Sequence, residues 1–166
     1  MATAPPLDAR IATLGGEESP LAEWLTTFHL ASVVLDPFTN ESSWILPTAA
    51  RILDAFRDTD ARVNLVLTCG PDEAHEFLGP IADRFLVFCD PDRSLVRALG
   101  LKVLPAFAFI RLDASVPASA EGWVPAEWRA VADAIAATTA WIAPNIPAAG
   151  DPGPFHGTPA LGLAPA

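Results

Sequence analysis

Two residue types in this chain could carry covalent chemistry. The first is sulfur. Cys69 and Cys89 each close an apolar run, "VNLVLTC" and "FLVFC". A thiolate attacks disulfides and peroxides, but only if its pKa is low and solvent reaches it. Both runs suit neighbouring strands, and adjacent strands lie about 4.8 Å apart, inside the range where a disulfide can form. A redox pair is therefore one reading. Two small buried hydrophobes, the usual state of free cysteine, is the weightier one. The nineteen residues between them fit no metal-ligand or Cys-x-x-Cys spacing. The second type is hydroxyl. Thr39, Ser42 and Ser43 stand just before an apolar helical pattern. No histidine is near them in sequence, and the Gly-x-Ser-x-Gly elbow is absent. Ser42 or Ser43 is most simply a helix cap.

Other polar residues promise less. His29, His75 and His156 are scattered, without ligand spacing, so neither a metal nor a cofactor is expected. Asp36 reads as a loop acid that accepts backbone N–H bonds. Asp90 and Asp92 suit turn and cap roles, and with Glu73 they lack calcium-loop spacing. Trp44 could be surface-facing or part of the core.

The elements that must position these residues follow from periodicity and punctuation. "SPLAEWLTTF" suits a short helix with Ser19 as cap and Pro20 at its first position. "SVVLDPF", "VNLVLTC", "FLVFC" and "LPAFAFI" are continuous apolar runs, as strands buried on both faces require. Between them "SSWILPTAARILDAFRD", "PDEAHEFLGPIADR" and "DPDRSLVRALGL" read as helices, the second broken near Gly79-Pro80. Trp44 or Ile45, Ala49, Ile52 and Phe56 recur at helical spacing, and Pro47 must kink that helix or sit near its start. "VPASAEGW" is a fifth strand, placed at an edge because Pro117 cannot donate to a ladder. "PAEWRAVADAIAATTAWI" is a last helix, with Trp128, Val131, Ile135 and Ile142 or Thr139 on its buried face. This alternation predicts an α/β fold with a mixed, mostly parallel central sheet of five strands, flanked by helices.

The domain should span 19–143, after an irregular segment, 1–18, and before a Pro/Gly/Ala-rich tail, 144–166, expected to be disordered. The other reading of that tail is an extended segment docked through Phe155 and Leu161. The chain has 166 residues and a formal charge of −10, with a sequence pI of about 4.5. That acidity argues against nucleic acid or an anionic membrane as partner. Lys102 is the only lysine, and with the abundance of Ala and Pro this points to a high-GC genome such as an actinobacterium's. The opening residues lack a basic region followed by an apolar one, and no apolar run is long enough for a membrane span. The expected compartment is the cytoplasm, where the thiols would be reduced.

"FLVFCDPDRSLVRALGLKVLPAFAFIRLD" resembles the second half of a thioredoxin-like domain, of the peroxiredoxin and cytochrome-assembly thiol reductase type. The matching pieces are the strand Phe85 to Cys89, the turn Asp90-Pro91-Asp92, the helix end Ala98-Leu99-Gly100 and Val103-Leu104-Pro105. The resemblance implies a cis proline at Pro105, with the preceding backbone facing outward for an extended partner. It also implies a reactive cysteine at the start of the second helix. Counting back from Pro47, "TNES" (residues 39–42) falls in the Cys-x-x-Cys register, and "FTNES" fits the Phe-Thr-x-x-Cys pattern with Ser42 in the peroxidatic place. A hydroxyl neither ionises at neutral pH nor forms a disulfide. The resemblance therefore implies a redox-inactive relative, leaning away from an enzyme, that binds a protein partner or a small apolar ligand around Thr39, Ser42, Trp44 and Pro105. The alternative is a divergent thiol–disulfide oxidoreductase or peroxiredoxin-like antioxidant that uses Cys69, Cys89 or both.

Overall fold

A computed structural model describes residues 1–162. Seven strands among them form one sheet, in the order β2-β1-β5-β4-β3-β7-β8. In chain order these are β1 (Arg10–Thr13), β2 (Glu18–Pro20), β3 (His29–Leu35), β4 (Ala61–Leu67), β5 (Leu86–Cys89), β7 (Ala106–Ile110) and β8 (Ala118–Glu121). A separate two-stranded ribbon joins β6 (Val103–Leu104) to β9 (Thr158–Pro159). The helices are α1 (Leu21–Trp24), α2 (Asn40–Asp54), α3 (Pro71–Leu78), α4 (Ser94–Ala98) and α5 (Pro125–Thr139).

The apolar runs become the central strands because each has a core on both sides. In β3, Ala31, Val33 and Leu35 face the layer that holds α2 and α5, while Leu30 and Val34 face the layer that holds α1 and α4. The inner face of α2 is built by Ile45, Ala49 and Ile52, continued by Phe56 just past the helix end, all buried, so Trp44 is the residue left outside. Pro47 lies well inside α2 and removes one helical N–H.

Four expectations are corrected. The sheet has seven strands rather than five, because the segment 1–18 is not irregular: β1 and β2 add an antiparallel flank to β5. The sheet is mixed, as expected, but mostly antiparallel: only β3–β4 and β4–β5 are parallel pairs, while β1–β2, β1–β5, β3–β7 and β7–β8 are antiparallel. The sequence hid the flank because β1 and β2 are short and only Ile11 among them is buried. The helix α5 stops at Thr139, with Ala140 left-handed, so Ile142 is exposed and Ala136 completes the buried face.

The fourth correction concerns the tail. Residues 144–162 run along the domain and bury Ile146 and Ala160, while 163–166 lie outside the described residues. The anchors are polar. Asp151 accepts from Thr48 Oγ1 at 2.9 Å, Arg51 Nη2 at 2.7 Å and the Ala148 N–H at 2.7 Å. Trp123 Nε1 donates to the Pro152 carbonyl at 2.8 Å. A composition rich in Pro, Gly and Ala cannot form its own core, but it can lie on another one. Of the two residues read as docking points, Phe155 packs against the domain and Leu161 is exposed.

Candidate functional site

The carboxyl end of β3 delivers Asp36 to the start of α2. Asp36 is buried, and nearly every polar atom it has is engaged. Its N–H donates to Ser42 Oγ at 2.9 Å. Its carbonyl accepts the Thr39 N–H at 3.1 Å and the Thr39 hydroxyl at 2.8 Å. Its carboxylate accepts the Phe38 N–H at 3.1 Å and Arg93 Nη2 at 2.9 Å. Asp36 is thus the knot that holds the strand end to the helix start.

Ser42 has no exposed surface. Its oxygen accepts the Asp36 N–H, and its hydroxyl lies 3.3 Å from that of Thr39. Thr39 uses its one hydrogen on the Asp36 carbonyl, which leaves the Ser42 proton for Thr39. The expected helix-cap role of Ser42 and Ser43 is corrected. The N-cap position belongs to Thr39, Ser42 sits three residues into α2 and binds backbone outside the helix, and Ser43 is exposed. A buried hydroxyl engaged at both its proton and its lone pairs has no path to a substrate.

Above Ser42, Thr39 borders a hollow of about 330 Å³ with Asp36, Phe38, Arg93, Thr158, Pro159 and Gly162. Phe38 is the exposed aromatic on its wall, and Trp44, also exposed, stands one turn further along α2. Trp44 is thereby placed on the surface, with its ring edge-to-face against Phe155 at 5.6 Å. The Leu104–Pro105 peptide is cis, and the Pro105 carbonyl accepts the Gly122 N–H at 2.8 Å. Through the β6–β9 pairing, the edge just before Pro105 reaches the same tail residues that wall the hollow. The structure therefore gathers Thr39, Trp44 and the Pro105 edge around the tail, with Ser42 sealed beneath.

Cys89 ends β5, whereas Cys69 lies two residues past the end of the neighbouring parallel strand β4, whose last residue, Leu67, is the one opposite Cys89. Both are free and buried. Burial pushes the Cys69 thiol up to about 12, with Cys89, Glu73 and Asp36 adding to it. Burial, then Glu73, also raises Cys89. Cys89 borders a separate open cleft shared with Arg10, Glu18, Asp90 and Asp92, whereas Cys69 borders none of the described hollows. Asp90 beside it is raised by burial, against the N–H groups of Leu95 and Val96 and the Ser94 hydroxyl, which all donate to it. Among the described residues no cluster of His, Cys, Asp or Glu is placed to hold a metal ion, and no helix is long and apolar enough to cross a membrane.

Sequence reasoning missed Arg93 and the tail residues Thr158, Pro159 and Gly162. Arg93 had one signal. It occupies the fourth position of the Asp-Pro-Asp turn at φ 59°, a left-handed place where glycine is the easy choice, so a costlier residue there has a task.

No family model matches the sequence, and no curated protein matches it. Solved structures do match. A protein assigned as the thiol:disulfide interchange protein DsbE of Chlorobium tepidum overlaps 84% of this chain and 98% of its own, with TM-score 0.68 and 18% identity. Peroxiredoxin Q of Xanthomonas campestris overlaps 82% of this chain and 94% of its own, with TM-score 0.64 and 14% identity. A hypothetical protein of Sinorhizobium meliloti 1021 overlaps 99% of this chain and 96% of its own, with TM-score 0.66 and 17% identity. These likenesses establish a thioredoxin-like fold.

Proposed function

We propose that the protein is a thioredoxin-like domain that binds without exchanging thiols. Its site is the surface formed by the start of α2, the edge before Pro105 and the tail, and it takes a protein segment or a small apolar ligand. One observation carries this reading. The oxygen of Ser42 lies where the resemblance calls for a reactive sulfur, and it is sealed and committed to the backbone of Asp36. The state of the two real thiols supports it. A thiol at about 12 is ionised to roughly one part in 10⁵ at pH 7, against about 3% for an ordinary cysteine. The absence of a positive surface excess, at a formal charge of −10, favours such partners over nucleic acid. The cytoplasm, where thiols stay reduced, suits a protein that does not use them.

Native thiol titration with a chromogenic aromatic disulfide tests the proposal. Both cysteines should stay silent in the folded protein and react together once guanidinium unfolds it. The competing reading is an oxidoreductase acting through Cys89, favoured only by the cleft that Cys89 borders. One thiol that reacts within seconds in native buffer, and disappears in Cys89→Ser, would establish that reading instead.

A further inference from the structure

β6 pairs with no strand of the main sheet; its partner is β9, from the tail. A short strand with a free edge is a template for any extended chain, and here the chain's own end has taken the place. The seat is shaped for this segment. Gly157 lies at φ 86°, and a Cβ there would collide with the Leu104 carbonyl oxygen and stand 2.8 Å from Val103 Cγ1. Only glycine satisfies both the conformation and the space. Beyond it Thr158 lies opposite Leu104 and Pro159 opposite Val103. Ala160 is buried; its N–H donates to the Lys102 carbonyl at 2.9 Å and its carbonyl accepts Arg93 Nη1 at 2.6 Å. Just upstream, Phe155 and Trp123 exchange both backbone hydrogen bonds, at 2.9 and 3.0 Å. Gly122 at φ 72° lacks the side chain that would strike the His156 carbonyl.

We infer that residues 157–160 are a resident ligand of the β6 edge, and that the edge receives in trans an extended segment of a partner protein with the pattern Gly-Thr-Pro-Ala once the resident copy lifts away. The inference deepens the binding reading above and rests on it. The partner's chemistry is read from the occupant: no side chain opposite the Leu104 carbonyl, small uncharged residues after it, and a backbone carbonyl for Arg93 to bind. Strand addition of this kind draws affinity from main-chain bonds and specificity from such local fits. The resident copy competes from an effective concentration on the order of millimolar. The intact protein therefore binds more weakly, by the fraction of molecules whose tail is lifted.

The test uses the full-length chain, a fluorescein-labelled peptide of residues 155–162 and fluorescence anisotropy. Amide exchange is followed over the same residues, so that no thiol enters the readout and a failure here is separable from a failure of the redox-silent reading. In Gly157→Val the tail amides should exchange freely while β3 and β4 stay protected. The peptide should then bind the variant about tenfold tighter than the wild type or better. The same peptide with Val in place of its glycine should not bind. Equal affinity for wild type and variant, a lifted tail that leaves the edge unable to bind peptide, or a tail still protected in the variant each overturns the inference. So does a wild-type dimer formed by exchanged tails, which would make a second copy the partner. If Gly157→Val does not fold, Asp151→Ala loosens the tail without touching β6 and gives the same comparison.

Discussion

Arg93→Met should be among the most damaging single substitutions near the site. Arg93 Nη2 lies 2.9 Å from the Asp36 carboxylate, whose side chain is 4% exposed. At this position the removal of the guanidinium leaves a buried carboxylate with only the Phe38 N–H to compensate it. Breaking one side of a buried pair costs about 3–5 kcal/mol. Met is a fair replacement because it carries the same left-handed strain at φ 59° and keeps most of the packing. With a urea m-value near 2 kcal/mol/M, the unfolding midpoint should fall by roughly 2 M. Asp36→Asn should cost less, about 1–2 kcal/mol, because Arg93, with 14% of its side chain exposed, can turn toward solvent and the amide still accepts the Phe38 N–H. The double variant should regain about 2 kcal/mol relative to the sum of the singles, since neither charge is then stranded. Urea titrations of the four proteins, followed by far-ultraviolet circular dichroism, give all these values. A cost below about 1 kcal/mol for Arg93→Met, or strict additivity in the double variant, would refute the picture of Asp36 as a knot tied by Arg93.

Three further outcomes follow from the same geometry. Ser42→Ala strands the buried Asp36 N–H and should cost about 1–3 kcal/mol in the same titration, with the fold unchanged by circular dichroism. Asp90→Ala removes the acceptor of the Leu95 and Val96 N–H groups at 3.1 Å each and should cost about 2–3 kcal/mol, while Asp90→Asn, which keeps an acceptor oxygen, should cost less. His29 accepts the Leu112 N–H at Nδ1, and burial, then Arg111, lower its pKa from 6.5. A lowered histidine favours the neutral form in the folded state. Its contribution is therefore full above pH 6.5 and is lost as pH falls through the lower, folded value. The stability gap between the wild type and His29→Ala should accordingly narrow between pH 7.5 and 5.

The central strands and α2 were legible because burial on two faces or one writes itself into hydrophobic period. "SVVLDPF" and Ile45, Ala49, Ile52 and Phe56 could hardly be read otherwise. The flank β1–β2 was not, since its seven residues bury a single large apolar side chain and its pairing partner, β5, is more than sixty residues away. The tail was misread for a related reason. It is held by Asp151 against Thr48 and Arg51, and by backbone bonds to Trp123 and Lys102, all distant in sequence, and such polar anchors leave no period. At the site, the places of Thr39 and Ser42 at the start of α2 followed from counting back from Pro47. The inward turn of Ser42 did not, because α2 begins at Asn40 and carries that hydroxyl under Thr39. Arg93 was visible only as an expensive residue in a glycine-like position.

The account turns on whether electrons pass through this protein. Catalytic amounts of the purified chain, supplied with dithiothreitol, should leave the lag of insulin precipitation unchanged, and in the presence of a hydroperoxide should consume none beyond the reductant's own background. The Cys69→Ser/Cys89→Ser double variant should behave identically in both assays. Turnover of either substrate by the wild type that vanishes in the double variant would contradict the account.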